Sequence, residues 1–172
     1  RVGLLGYDDR YDPDTDFDRW YTRGTAAAIA HWIQPGQTVL ELGTGCGLLA
    51  TYAAKVCGSA SVLTVEADPL LEPTIRAVFA ANDVTPDLVI AAVSADGAAR
   101  HVLRAADFWA TRTAEFDGSQ APGVPRVVGV AFESLLARHL PTIVVIDIEG
   151  GEFELCGVPL PASVRAVIVE TH

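Results

Sequence analysis

The stretch VLELGTGCGLL, residues 39–49, decides how the chain is read. VLEL suits a strand, and Gly43, Gly45 and Gly47 follow it at alternate positions. LLATYAAKVC (48–57) then turns apolar and alanine-rich, a helix stopped by Gly58. Glycine loses more backbone entropy on folding than any other residue. Three so close together mark a place where the chain turns sharply or approaches a ligand. Glu41 sets a carboxylate two residues before the first of them.

Outward from this point strands and helices alternate. SVLTVE (61–66) reads as a second strand, PLLEPTIRAVFAAN (69–82) as a helix despite Pro73, and DLVIAAV (87–93) as a third strand. HVLR (101–104) and VPRVVGVAF (124–132) read as strands flanking a polar stretch, TAEFDGSQAPG (113–123). ESLLARH (133–139) is a short helix. TIVVIDI (142–148) is nearly continuous β-branched sequence, as in a strand buried on both faces. GEFELC (151–156) is a brief helix closed by Gly157, and SVRAVIVETH (163–172) a last strand. Upstream, RWYTRGTAAAIAHWI (19–33) reads as a helix stopped by Gln34-Pro35-Gly36, and residues 1–18, with six aspartates, as an irregular acidic arm. The alternation predicts one α/β domain of the Rossmann-like kind, with a mostly parallel sheet and helices on both faces over 35–172.

Composition narrows the partners. The net charge is −10, from 22 acidic against 12 basic residues, and Lys55 is the only lysine. The scattered arginines form no stripe to neutralise a phosphate backbone, so no nucleic-acid partner is expected. No run approaches the 18 or more apolar residues of a membrane span, and no membrane partner is expected. From Arg1 onward no basic stretch leads into an apolar one, so no secretory leader is expected. Cys46, Cys57 and Cys156 are odd in number and lack CxxC spacing. That favours reduced thiols and a cytoplasmic location over a disulfide or zinc framework.

In open parallel sheets, ligands sit beyond the carboxyl ends of the strands. Here those ends, at 41–47, 66–68, 93–96, 147–152 and 170–172, are rich in acidic side chains, which suits a cation better than a triphosphate. The glycine spacing is GxGxG. The dinucleotide pattern GxGxxG would need its third glycine at Leu48, and the phosphate-loop Lys-Ser or Lys-Thr is missing. A tight glycine loop still lets backbone approach the aminoacyl part of S-adenosylmethionine. Glu66, at the end of the second strand, is placed to accept ribose hydroxyls, although a nicotinamide enzyme would use an acid there too.

Taken together, QPGQTVLELGTGCG (34–47) and VLTVEADP (62–69) resemble the first two motifs of class I S-adenosylmethionine-dependent methyltransferases. More narrowly, the order of Asn82, AAVSADG (91–97), VIDIEGGE (145–152) and VIVETH (167–172) resembles the FkbM-type family. The resemblance implies S-adenosylmethionine as cofactor, lined by Glu41, Gly43, Thr44, Gly45, Gly47, Glu66, Ala67, Ser94 and Asp147. It also implies transfer to a hydroxyl of a small molecule, a secondary metabolite or a sugar. Two departures stand out. Val145 occupies a position where that family often has lysine, and the two strands that usually follow the fifth strand of a class I sheet are missing from the pattern. A last apolar strand left uncovered would invite pairing, so a homodimer is a reasonable expectation.

Methyl transfer to a hydroxyl needs a base near the methyl group. Glu149 is the preferred base and His172 the second choice, with Asp147 orienting the acceptor or contacting the cofactor's amino group. Asp147 or Glu149 acting only as caps of the helix near Gly150 is the plainer alternative. A divalent cation held by Asp147, Glu149, Glu152 and Glu170 is a further alternative, but no metal is expected. His31, His101, His139 and Cys46 read as packing residues. Trp20, Tyr21 and Arg23 could fold over the cofactor as a lid. The rival classes are a nicotinamide-dependent oxidoreductase and a non-catalytic cofactor-binding module.

Overall fold

The computed structural model describes residues 29–103, 111–115 and 125–170. The acidic arm, helix residues 19–28, the lid residues Trp20, Tyr21 and Arg23, and His172 lie outside them. The described chain begins helical at 29–32 (α1) and continues β1 (Val39–Leu42), α2 (Leu48–Cys57), β2 (Val62–Glu66), α3 (Glu72–Ala81) and β3 (Asp87–Ile90). After a stretch of short strands come α4 (Phe132–His139), β9 (Ile143–Ile146), α5 (Glu152–Leu155) and β10 (Ala166–Val169). The five long-range strands form one parallel sheet in the order β3-β2-β1-β9-β10. This is a Rossmann-like α/β fold, as the alternation predicts.

Alternation along each strand divides the core into two layers. Val39, Val62, Ile143, Val145 and Ile168 pack with Ala50, Ala53, Ile75 and Phe79 of α2 and α3. Leu40, Leu42, Leu63, Val65, Val144 and Ile146 pack with Phe132, Leu135 and Leu136 of α4 and Leu155 of α5. Both faces of the central strands are therefore covered, which explains why VLEL, VLTVE and IVVI carry few polar side chains. Pro73 is accommodated in the first turn of α3, where its missing N–H has no intrahelical acceptor to lose.

The sequence reading needs correction between β3 and α4. DLVIAAV is not one strand. Ala91 N–H donates to the Glu66 carbonyl, but Ala92 N–H donates to the Val128 carbonyl, so the strand changes partner. β4 (Ala92–Ser94) then pairs in parallel with β8 (Gly129–Ala131). β5 (Arg100–Leu103) pairs antiparallel with β6 (Arg112–Glu115) and β7 (Arg126–Val127). β6 thus enters the stretch read as a polar separator. None of these strands extends the central sheet, which among the described residues ends at β10.

Candidate functional site

The order of the sheet reverses at β1: β2 lies on one side and β9, reached much later in the chain, on the other. Such a switch point leaves a crevice at the carboxyl edge. The glycine loop after β1 and the DIEGG turn after β9 flank it.

Gly43, Gly45 and Gly47 all adopt left-handed backbone, with φ of 88°, 56° and 90°. Each has a different neighbourhood. A Cβ on Gly43 would lie 1.7 Å from the Asp147 carbonyl oxygen, so the loop and the turn touch through backbone. A Cβ on Gly47 would press on Phe79 and Ile75 of α3 at 3.1 and 3.2 Å. A Cβ on Gly45 would meet nothing within 4 Å, so on that side the crest of the loop is open to a ligand.

Parallel register explains the acids. Glu41 pairs with Thr64, and a period of two puts Glu41, Thr64, Glu66 and Asp147 on the face that carries α2 and α3. Glu66 is buried. Its Oε2 accepts from Gly45 N at 2.9 Å and its Oε1 from Asp68 N at 2.8 Å. Burial pushes its carboxyl above the ordinary value, against the two amide bonds that favour the charge. A carboxylate oxygen has two acceptor sites, so one bond on each oxygen still leaves room for ribose hydroxyls. Glu41 lies deeper, under the loop. Its Oε2 accepts from Thr64 Oγ1, which also bonds Thr44 Oγ1. Burial raises the Glu41 carboxyl from 4.5 to about 8. Ala67 follows Glu66 at the strand end and is half-buried.

Ser94 is fully buried at the end of β4. Its Oγ donates to Asp96 Oδ1 at 2.9 Å and accepts from Gly97 N at 3.0 Å. Asp96 is held below the ordinary carboxylate value by the Ala98 amide first, then by the Ser94 hydroxyl, with Arg100 adding to both. The buried Arg100 guanidinium bridges Asp96 at 3.1 Å and Glu154 of α5 at 3.3 Å. Glu154 in turn accepts from Ala95 N at 2.9 Å. Ser94 is thus the inner end of a latch tying the SADG turn to α5, a network that the sequence reading missed. The only sequence signal for it was the spacing of Ser94, Asp96 and Arg100.

The DIEGG turn holds Asp147, whose N–H donates to the Leu42 carbonyl at 2.9 Å, and Glu149, whose φ is +54°. A left-handed non-glycine residue costs about 1–2 kcal/mol, and such strain concentrates at functional turns. The N-cap of α5 is Gly151, which has no side-chain cap. The acid that fastens the turn is Glu152. Fully buried, it accepts from Gly150 N at 3.0 Å and from Ile148 N at 3.3 Å. The sequence reading had considered Glu152 only as a metal ligand. Among the described residues no cluster of three or more His, Cys, Asp or Glu side chains is placed to hold a metal ion. His139 Nε2 bonds the Val39 carbonyl at 2.9 Å, and His31 packs edge-on to Trp32. No described helix is long and apolar enough to cross a membrane.

No family model matches the chain. Over 65 residues it is 43% identical to a ribosomal protein L11 methyltransferase of Thermus thermophilus, covering 38% of this chain and 25% of that protein. Over 77 residues it is 43% identical to the protein of the same name from Chloroflexus aurantiacus, covering 45% and 23%. Over 70 residues it is 39% identical to an arginine N(omega)-methyltransferase of Streptomyces achromogenes subsp. streptozoticus, covering 40% and 19%. The chain spans a quarter or less of the length of these curated relatives. All three are methyltransferases, and together with the Rossmann-like sheet they support that class.

Proposed function

We propose that the protein is an S-adenosylmethionine-dependent methyltransferase. The observation that carries this is the loop at the switch point: three left-handed glycines, an open crest at Gly45, and Glu66 buried beside it. A ligand with one carboxylate, a ribose and a positive charge fits this edge. A pyrophosphate does not, because the crevice is rimmed by Glu66, Asp68 and Asp147 and lacks the GxGxxG spacing.

When bound, the cofactor supplies an activated methyl group, so the chain's task is chiefly to hold two reactants in line. Glu66 would take the ribose hydroxyls. The loop amides of Thr44 to Gly47 would meet the aminoacyl end, with Ala67 toward the adenine side and Ser94, fully buried, holding the SADG turn from behind. Asp147 would orient the acceptor or the cofactor's amino group, and Glu149, at the strained turn, would take the acceptor's proton, with His172 as the alternative base. The order of the AVSADG, DIEGGE and VETH segments supports an FkbM-like enzyme and a hydroxyl of a small molecule as acceptor. The relative named for the N(omega) of arginine favours a second reading, a nitrogen acceptor, and those named for ribosomal protein L11 a protein acceptor.

Calorimetry with S-adenosylmethionine, S-adenosylhomocysteine and NADH, on wild type and Glu66→Ala, tests the cofactor. Micromolar binding of the first two, lost in the variant and not seen with NADH, is the expected result. Binding of NADH alone would sink the proposal. A panel of hydroxyl and amino acceptors, read by mass, then separates oxygen from nitrogen transfer.

A further inference from the structure

Strand register places Glu41 between Thr64 of β2 and Val145 of β9, all three buried. The ionisable groups that face Glu41 are Glu66 from β2 and Asp147 from the turn after β9, and both are acidic. α2 offers it the Ala50 amide, and α3 meets the loop with apolar Ile75 and Phe79 at Gly47. The side-chain partner of Glu41 is the Thr64 hydroxyl, which bonds the Thr44 hydroxyl between Gly43 and Gly45. A line of three side chains therefore runs from the buried carboxyl up to the loop.

A hydroxyl donates one hydrogen, so the direction of this line is set at its carboxyl end. An ionised Glu41 only accepts: Thr64 donates to it, and Thr44 donates to Thr64. A protonated Glu41 donates to Thr64, Thr64 donates to Thr44, and the Thr44 hydrogen turns out of the line. We infer that Glu41 is a positioning residue for the glycine loop, its protonation state conveyed to Thr44 through the hydroxyl of Thr64. Burial raises the Glu41 carboxyl to about 8, opposed by the Thr64 bond and reinforced by Glu66 and Asp147. The reversal thus falls in an accessible pH range. Ionisation also sets a negative charge beside the carboxyls of Glu66, which holds Gly45, and of Asp147, whose carbonyl abuts Gly43. The loop is tightest while Glu41 carries its proton and loosens as pH rises through about 8. Its effect on cofactor affinity rests on the function proposed above.

The test begins on the ligand-free protein. Amide shifts of Thr44, Gly45 and Cys46 and the Glu41 carboxyl carbon are followed by NMR from about pH 6 to about 9.5. In wild type the loop amides and the carboxyl titrate together. In Thr64→Val the carboxyl still titrates but the loop no longer follows, Thr64→Ser restores the coupling, and Glu41→Gln removes the transition. Loop amides that titrate unchanged in Thr64→Val or Glu41→Gln, or stay flat in wild type, overturn the inference. S-adenosylhomocysteine affinity is then taken as the ratio of wild type to Glu41→Gln, so that titration of the ligand cancels. Across the transition this ratio falls about three- to tenfold, the effect of roughly one hydrogen bond. A flat ratio with intact binding overturns the link to the site. Binding by neither protein at any pH removes the proposed function, while the loop titration still decides the role of Glu41.

Discussion

The turns after β1 and after β9 meet through backbone, at Gly43 and Asp147, yet they are fastened by opposite means. Both contain left-handed residues, and in both a buried glutamate accepts amide N–H groups. The clamp on the glycine loop comes from elsewhere: Glu66 reaches Gly45 from the end of the neighbouring strand, 21 residues along the chain. The clamp on the DIEGG turn is its own, with Glu152 folding back two and four residues onto Gly150 and Ile148. The first loop therefore has its shape only once β1 and β2 are paired, whereas the second is formed locally. A loop shaped by long-range contacts is the one that a ligand or a change of charge can reset.

The contrast can be broken most severely where the two turns touch. Gly43→Ala forces a methyl group into the Asp147 carbonyl and should cost about 3 kcal/mol or more in chemical denaturation. Gly45→Ala, with open space around it, should cost only about 1–2 kcal/mol, for its left-handed backbone alone. Next comes Glu152→Ala, which strands the Ile148 and Gly150 amides. A stability loss of about 2–3 kcal/mol is expected, with S-adenosylhomocysteine binding by the glycine loop retained. If cofactor binding vanished as well, the two turns would not be independent.

A pH series sharpens the comparison from the other side. The folded Glu41 carboxyl titrates at about 8 and its ordinary value is 4.5, so between these limits the folded protein binds more protons than the unfolded chain. Stability should fall as pH rises across that window and level off above about 8, and Glu41→Gln should remove this part of the slope in denaturant titrations. The smallest effect is expected at Glu149→Gly. Relief of the left-handed strain should stabilise the fold by about 1 kcal/mol while methyl transfer to any hydroxyl acceptor is lost. Retained turnover would move the base to another residue.

These two turns also differ in how well the sequence disclosed them. β1, β2 and β9 were legible because strands buried on both faces must be apolar, and the three glycines were legible because left-handed backbone admits little else. The DIEGG turn was legible as a place but not in its parts, since three nearby acids share one chemistry. Only coordinates separate Glu152, folded inward, from Glu149 at the strained position. The region between β3 and α4 was read least well. Its strands are two to four residues long, too short for a period to declare itself, and the change of partner at Ala91 depends on Val128, far along the chain. The Ser94–Asp96–Arg100–Glu154 latch escaped for the same reason: its far end, Glu154, lies on α5.

The excursion from Ala92 to Ala131 leaves the central sheet after β3 and, among its described residues, adds no strand to that sheet before α4 packs back onto the core. An addition carried in this way behaves as a graft. Its length and composition are free to drift, because β1, β2 and β9 keep their register whatever is spliced between the two exit points. Descendants of such a domain could exchange one excursion for another, while the half that carries the glycine loop is inherited unaltered.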